Sequence, residues 1–535
     1  MKIRTMIAMA MASALFVAPA ANAALNRPVR TKAGFVSGVP GERPGVTVFK
    51  GIPFAAAPVG DLRWKPPQPV KPWKGVRAAD KWGDVCVQPT APKRTPVNSA
   101  TDLPGSPGMS EDCLNLNVWT PAKRGNEKLP VMVWFYGGAY NEGGGNAPFS
   151  RGDSLATKGV VMVTTNYRVG ALGFLSHPEL TAESPHKASG NYALMDAIAT
   201  LQWVKKNIAA FGGDPNNVTV FGESAGACFS AALAGTPAAR GLLNRAISES
   251  GAWMGLAPTK MMLREVAETQ TLEAAKKIGA TTLAQLRAMP ASEISTKLRG
   301  QGLIVDGWVI PEDLSVTFAK GRQNPVDVLV GSNADEGSFG ASFGPPVTLA
   351  SWQNGAPQRW KDLAQAGLAV YPATTDAEAK QVATMPFTDG LGWLMRLFAD
   401  SQARIGRKAW FYHFNHVPPY APGTTNLGAS HTSELPYVFD NLAAPRTFPD
   451  RSSPELAAAD PREQALAKQM SAYWVNFART GDPNGPGLPR WPSVKELGPT
   501  EAMILDVDNS GRGPWMPQAK LDFYRKIYDR DVGAH

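Results

Sequence analysis

The sequence predicts an α/β protein built on a large, mostly parallel central sheet flanked by helices. Short apolar runs recur along the chain, at 131–136, 160–165, 218–221, 326–330 and 409–414. They are continuous rather than alternating, as parallel strands covered on both faces must be. Segments of helical period lie between them: Ala193, Leu194, Ala197, Ile198, Leu201, Val204 and Ile208 share one helix face. Strand therefore alternates with helix, the order that builds a parallel sheet. Residues 255–320 and 350–405 are richer in helical pattern than in strands. They are read as helical excursions covering one end of the sheet, not as separate domains. No linker, internal repeat or low-complexity run marks a boundary, so residues 24–535 are read as one domain.

Lys2 and Arg4 form a short basic region, followed by an apolar, Ala- and Met-rich stretch at 6–17 and by Ala21-Asn22-Ala23. This is the pattern of a bacterial secretory signal peptide cleaved after Ala23. The apolar stretch is too short to span a bilayer, and no later stretch reaches the length of a spanning helix, so no membrane insertion is expected. The mature chain is expected in the periplasm or outside the cell. The 44% apolar and 19% charged content is that of a globular chain and excludes a disordered one. The formal net charge of +9 falls to +7 once Lys2 and Arg4 are removed. Without a Lys/Arg cluster or interleaved aromatics, this mild balance gives no reason to expect nucleic acid as a partner.

Cys86 and Cys113 enclose a Pro-, Ser- and Thr-rich loop of the kind an oxidising compartment staples. Cys228, the third cysteine, reads as a small buried filler. No CxxC or HExxH occurs and the six histidines are scattered, so no metal or other cofactor is expected.

The segment at 218–228 reads Val-Thr-Val-Phe-Gly-Glu-Ser-Ala-Gly-Ala-Cys. A β-branched run turns through Gly222-Glu223-Ser224-Ala225-Gly226 into small, helix-tolerant residues. A serine hydroxyl becomes a useful nucleophile when it stands clear of the backbone, near a base, with amide N–H groups aimed at the developing oxyanion. A turn that tight leaves no room for a Cβ two residues either side of the serine. The same Gly-x-Ser-x-Gly pattern recurs at 340–344, but no apolar strand precedes it and Pro345-Pro346 follow at once. A regular helix cannot continue there. Ser342 is therefore read as a loop serine and Ser224 as the nucleophile.

The base and its orienting acid must come from elsewhere in the chain. His431 sits in a small-residue loop, Leu-Gly-Ala-Ser-His-Thr-Ser-Glu-Leu-Pro-Tyr, and is the first candidate, with His413 as the alternative. Glu336 and its neighbour Asp335 directly follow the apolar run at 326–330 and compete for the role of acid. The order Ser224, Glu336, His431 is the nucleophile–acid–base order of an α/β-hydrolase. Gly137-Gly138-Ala139-Tyr140 follows the run at 131–136 and suits the glycine-rich loop of an oxyanion hole.

Longer blocks then make a family resemblance plain. Gly51-Ile-Pro-Phe with Pro58-Val-Gly-Asp-Leu-Arg63, Glu111-Asp-Cys-Leu-Asn-Leu-Asn-Val118, Asn166-Tyr-Arg-Val-Gly, Asn207-Ile-Ala-Ala-Phe-Gly-Gly-Asp-Pro215, the Ser224 turn and Trp474-Val-Asn-Phe-Ala-Arg-Thr-Gly-Asp-Pro483 run nearly end to end. In that order they resemble the type B carboxylesterases, the family that includes the cholinesterases. The resemblance implies an α/β-hydrolase fold and a Ser224–Glu336–His431 triad. It implies the N–H groups of Gly138, Ala139 and Ala225 as the oxyanion hole. Glu223, Ser250 and Glu434 would form a polar shell around the histidine, Cys86 and Cys113 a disulfide, and Arg63 and Glu111 an ion pair beside it.

Two departures stand out. Ala139 replaces a third glycine, which keeps the N–H and places a methyl toward the acyl region. The 86–113 loop contains no tryptophan, the residue choline-ester specialists use there, so a dedicated cholinesterase is not expected. The expected activity is hydrolysis of small-molecule carboxylic esters through an acyl-enzyme. An amidase or thioesterase using the same triad, and a non-catalytic binding protein of the same fold, are the alternatives. Trp253, Trp308, Phe339, Phe343 and Trp393 are candidate pocket-lining residues.

Overall fold

In the structure, a computed structural model that describes residues 25–89, 108–256, 260–342, 345–446 and 449–533, eleven strands form one central sheet. In chain order they are β1 (Val39–Pro40), β2 (Thr47–Pro53), β3 (Asn115–Thr120), β4 (Leu129–Phe135), β5 (Val161–Thr165), β6 (Gly213–Glu223), β7 (Arg245–Glu249), β8 (Asp327–Asn333), β9 (Ala409–Phe414), β10 (Glu501–Leu505) and β11 (Gly511–Pro514). Their order across the sheet is 11-10-9-8-7-6-4-5-3-2-1. The block from β5 to β10 is parallel, and antiparallel pairs appear only at the two margins. All five apolar runs are strands of the parallel block, and their residues are almost all buried.

Five helices matter for the site: α1 (Tyr192–Asn207), α2 (Ala225–Gly235), α3 (Met385–Arg404), α4 (Pro461–Thr480) and α5 (Gln518–Asp531). α1 is the helix predicted from the 193–208 periodicity, and Lys205 and Lys206 in its last turn suit the negative end of its dipole. α4 starts with Asp460 accepting the Arg462 N–H and Pro461 in the first turn, and it ends at Gly481 with φ +74°. Those are the expected start and stop signals.

The two faces of the sheet have different covers. Ser248 Oγ donates to the Ala227 carbonyl of α2, while the next residue, Glu249, accepts from Trp474 Nε1 of α4 on the opposite face. Of the helical excursions, 255–320 holds Arg264–Lys277 and several one- to two-turn helices joined by a short strand pair, Met262–Leu263 with Ile304–Val305. The second ends differently from expectation. Its last helix, α3, packs directly on β8 and β9 and serves as a sheet-flanking helix. A 20-residue amphipathic helix buries more apolar surface against a sheet than over its edge. Among the described residues, no helix is long and apolar enough to cross a membrane. The segment proposed as a signal peptide, 1–23, lies outside them.

Candidate active site

The turn after β6 has the geometry its glycines imply. Ser224 sits between strand and helix at φ +55°, ψ −120°, a region that costs an L-residue roughly 1–3 kcal/mol. The fold holds it there from both sides: its N–H donates to the Glu249 carbonyl of β7 (2.9 Å), and its own carbonyl accepts the Cys228 N–H of α2 (3.0 Å). A Cβ on Gly222 would come within 2.4 Å of the Gly226 backbone, and one on Gly226 within 1.9 Å of the Phe135 carbonyl oxygen. Both positions must be glycine for β4, β6 and α2 to meet at the serine.

His431 and Glu336 are brought together by a clamp between two loops. Asp335 N–H donates to the Ala429 carbonyl (3.0 Å), and the Asp335 carboxylate accepts the Ala429 N–H (2.9 Å). This short bridge leaves Asp335 occupied and aims its neighbour inward. Glu336 Oε2 lies 2.6 Å from His431 Nδ1. Glu336 Oε1 accepts from the Asn333 N–H (2.8 Å) and from the Ser250 hydroxyl. The carboxylate is thus fixed at both oxygens, and Glu336, not Asp335, is the one of the two in contact with His431. The other ring nitrogen, Nε2, faces the Ser224 turn, with Oε1 of the adjacent Glu223 3.0 Å away but not aligned for a hydrogen bond. Asn333 Nδ2 donates to Glu434 Oε2 (2.5 Å) and to the Ser430 carbonyl (2.8 Å), which ties Glu434 to the histidine loop.

The remaining histidines in the described residues are engaged elsewhere. His413 is buried on β9, and that burial pulls its pKa down to about 4. His416 pairs with Glu463 at 2.8 Å, His177 accepts the Glu179 N–H to cap a short helix, and His186 stacks on Trp308 with ring centroids 3.8 Å apart. His535 lies outside the described residues.

On the other side of the serine, Gly138, Ala139 and Tyr140 all have positive φ, at +103°, +50° and +65°. Asn141 and Glu142 donate back to the Gly138 carbonyl, and the Gly170 N–H donates to the Tyr140 carbonyl (2.7 Å). These bonds curl the loop so that its own carbonyls are occupied. Ala225 is the first residue of α2, where a backbone N–H lacks an intrahelical acceptor.

Burial and charge set the electrostatics. Burial pushes the Glu223 carboxyl up to about 7, with the His431 charge pulling it back and Glu336 adding to the rise. Burial pulls His431 down, but the charges of Glu223, Glu336 and Glu434 outweigh it and raise the imidazole to about 10. Glu434 is held well above the carboxylate range, first by burial and then by Glu223, Glu249 and Glu336. Burial pushes the Cys228 thiol up to about 12, so this cysteine is a poor nucleophile despite its place on α2.

Cys86 and Cys113 are bonded, with Cα atoms 4.9 Å apart. Arg63 grips Glu111 bidentately (2.7 and 2.6 Å) and also donates to the carbonyls of Leu286, Arg287 and Met289, which tethers the first excursion to the disulfide.

With this geometry in place, comparison with known proteins decides the family. The profile described as the carboxylesterase family matches residues 26–523. The chain belongs to the carboxylesterase family. A fumonisin B1 esterase of Sphingopyxis macrogoltabida is 40% identical over 482 residues, 88% of this chain and 84% of the relative. A para-nitrobenzyl esterase of Bacillus subtilis is 34% identical over 504 residues, covering 90% and 95% of the two chains. A solved structure of a PNB esterase matches with a TM-score of 0.77 at 30% identity over 93% of this chain and 99% of that one. This carboxylesterase therefore has the α/β-hydrolase fold and is a carboxylic ester hydrolase.

Of the aromatic candidates, Phe339 lies beside the histidine, ring centroids 5.9 Å apart, and Trp253 lies along the Tyr140 ring at 6.3 Å. Trp308 is occupied by His186. Trp393 packs on Tyr528 of α5 (5.4 Å) and lines a surface groove with Arg396 and Arg525, so it does not reach the site. Phe343 lies outside the described residues. Glu249 and Asn333 were missed by sequence reading. Asn333 could have been found as the strand-end residue just before Asp335-Glu336, whereas the partner of Glu249, Trp474, lies 225 residues away.

Proposed function

We propose that residues 24–535 form one exported serine carboxylesterase unit with Ser224 as nucleophile, His431 as base and Glu336 as orienting acid. His431 Nε2 takes the Ser224 proton as Oγ attacks the ester carbonyl. Glu336 holds Nδ1–H, which fixes the tautomer and stabilises the imidazolium. The N–H groups of Gly138, Ala139 and Ala225 receive the tetrahedral oxyanion. The imidazolium then protonates the departing alcohol and leaves an acyl-enzyme, and water repeats the sequence to release the acid and restore Ser224. Every step uses side chains and backbone of this chain.

The observation that supports the reading best is His431, fixed through Nδ1 on Glu336 at 2.6 Å with Nε2 turned toward the serine turn. Glu223, Ser250 and Glu434 hold that pair in place. Turnover of an aryl ester by purified mature protein tests the reading: Ser224→Ala abolishes it and Ser342→Ala does not, and the opposite result assigns the nucleophile to the second pattern. Parallel assays on an anilide and a thioester separate the esterase from the amidase and thioesterase alternatives.

For the substrate, the relatives' names supply the starting points. We propose fumonisin B1 as the first compound to test, followed by para-nitrobenzyl esters and a graded acyl series that includes multiply anionic esters. The basic, apolar and Ala-x-Ala order at 2–23, with the Cys86–Cys113 disulfide, supports a signal peptide and a periplasmic or secreted mature enzyme. Mass spectrometry of the mature N-terminus checks this, with Ala24 expected as the first residue.

A further inference from the structure

Among the wholly buried titratable side chains next to the site that the mechanism does not use are Glu249 and Tyr412. Both belong to one row across the carboxyl end of the sheet. β6, β7, β8 and β9 pair in a register that sets Glu223 beside Glu249, Glu249 beside Gly331, and Gly331 beside Tyr412. In-register neighbours on parallel strands project to the same face, so the three side chains share the face covered by α4. Gly331 opens the row, because a Cβ there would come within 2.4 Å of the Tyr412 ring. The ring therefore lies across the glycine, toward Glu249. Trp474 of α4 fixes both ends: Nε1 donates to Glu249 Oε1 (2.9 Å), and its ring lies 5.4 Å from that of Tyr412. Glu249 Oε2 and the Tyr412 hydroxyl have no hydrogen-bond partner among the described residues. Groups buried in that state are costly to stability, so their presence behind the nucleophile calls for an explanation.

We propose, resting on the triad assigned above, that Glu249 and Tyr412 are positioning residues of the esterase: along this row they share charge with Glu223 and so set the pH at which His431 can accept the serine proton. The titratable groups that face Glu223 are His431 and Glu336 across the site and Glu434 behind them. Glu249 and Tyr412 face it along the row, and Tyr167 and Cys228 face it from the oxyanion side. Burial, reinforced by the Glu223 charge, holds Glu249 up at about 8, so at neutral pH it is a carboxylic acid. Tyr412, pushed far up by burial and by the surrounding carboxylates, keeps its proton and stays a neutral dipole in the row. Removing the Tyr412 hydroxyl makes the carboxylates less able to carry charge. Removing the Glu249 carboxyl takes away a negative charge as the pH rises through 8. Each change leaves less negative charge near His431, and an imidazolium with less negative charge nearby gives up its proton more easily.

The test is the pH profile of kcat/KM for Tyr412→Phe and Glu249→Gln, with thermal melts alongside. Phe keeps the ring, and Gln keeps an acceptor for Trp474. In each variant the limb on which His431 loses its proton moves to lower pH, by at most about one unit, the low end of the range for a nearby charge. In a Glu223→Gln background the shift disappears, because Glu223 transmits it. Limbs that overlay wild type in both variants overturn the proposal, as does a shift of full size without Glu223. The triad is checked separately: if Ser224→Ala retains turnover, the functional reading fails, and if Ser224→Ala is inactive while the limbs overlay, only the row fails.

Discussion

The pattern Gly-x-Ser-x-Gly occurs at 222–226 and at 340–344, and the first glycines of the two copies are under opposite constraints. At the first, any side chain at Gly222 or Gly226 would run into backbone, at 2.4 and 1.9 Å, because a strand, a loop and a helix converge there. At the second, a Cβ on Gly340 would meet nothing within 4 Å, and the chain makes a single 3₁₀ turn, Ser338–Ser342. Five residues of pattern carry little meaning by themselves. What distinguishes the copies, at their first glycines, is whether a glycine is required by its surroundings. The contrast extends to the serines: Ser224 is held at a strained φ, ψ by hydrogen bonds to β7 and α2, and a strained residue persists only where its neighbours over-determine it.

The sharpest way to break the comparison is to exchange the serines for alanine one at a time. Ser224→Ala lowers kcat by at least about 10⁴-fold, as loss of the nucleophile does in serine hydrolases, and Ser342→Ala leaves it within about twofold. Burst and steady-state kinetics on one aryl ester read both. Next come the adjacent carboxylates Asp335 and Glu336. Glu336→Gln keeps the shape but disfavours the required tautomer, and lowers kcat by roughly 10³- to 10⁴-fold with KM little changed. Asp335→Asn keeps one acceptor for the Ala429 N–H, so its loss is small, at most about tenfold, and appears mainly as a lower Tm. Equal losses in the two variants would show that the loop clamp, and not the contact with His431, governs activity.

The glycines separate by stability. Gly226→Ala destabilises by about 4 kcal/mol or more, since the Phe135 carbonyl is backbone and cannot move aside, whereas Gly340→Ala stays within about 0.5 kcal/mol. Urea melts followed by fluorescence measure both. Between these lies the disulfide: reducing Cys86–Cys113, which closes a loop with a sequence separation of 27, costs about 3.5 kcal/mol on the chain-entropy model.

Much of this was legible because it is local. The five apolar runs, the Ser224 turn, the α1 periodicity and the Glu336 position after β8 each show within a dozen residues. β7 was not legible, because Arg245-Ala-Ile-Ser-Glu249 carries a charge at each end and only one β-branched residue, though its burial is complete from Ala246 onward. α3 was misplaced because its helical pattern says that it is amphipathic and not which surface it covers. The choice between Asp335 and Glu336 could not be made from order alone. The family resemblance favours Glu336, and the contact that supports it, Glu336 with His431, joins segments 95 residues apart. Sequence also gave no means of excluding Trp393, whose contacts with α5 are made by chain more than 120 residues away.

The last contrast is between two histidines that were both candidates for the base. His413 and His431 both feel the charge of Glu336, yet burial dominates at one and negative charge at the other. His413 is held down at about 4, below its unfolded value near 6.5, because the fold accepts only the neutral ring. A base whose folded pKa is lowered contributes nothing unfavourable at neutral pH and becomes destabilising as pH falls from about 6.5 toward 4. At pH 5 this amounts to about 2 kcal/mol. His431 has the opposite sign: raised to about 10, it stabilises the fold below its unfolded value, and that contribution is lost as pH rises through 10. His413→Gln should therefore flatten the acid arm of the stability curve between pH 6.5 and 4 and leave the pH profile of turnover in place. His431→Gln should abolish turnover and remove the alkaline arm. If His413→Gln instead moves the turnover profile, the neutral ring on β9 belongs to the catalytic charge network, and the separation of the two histidines fails.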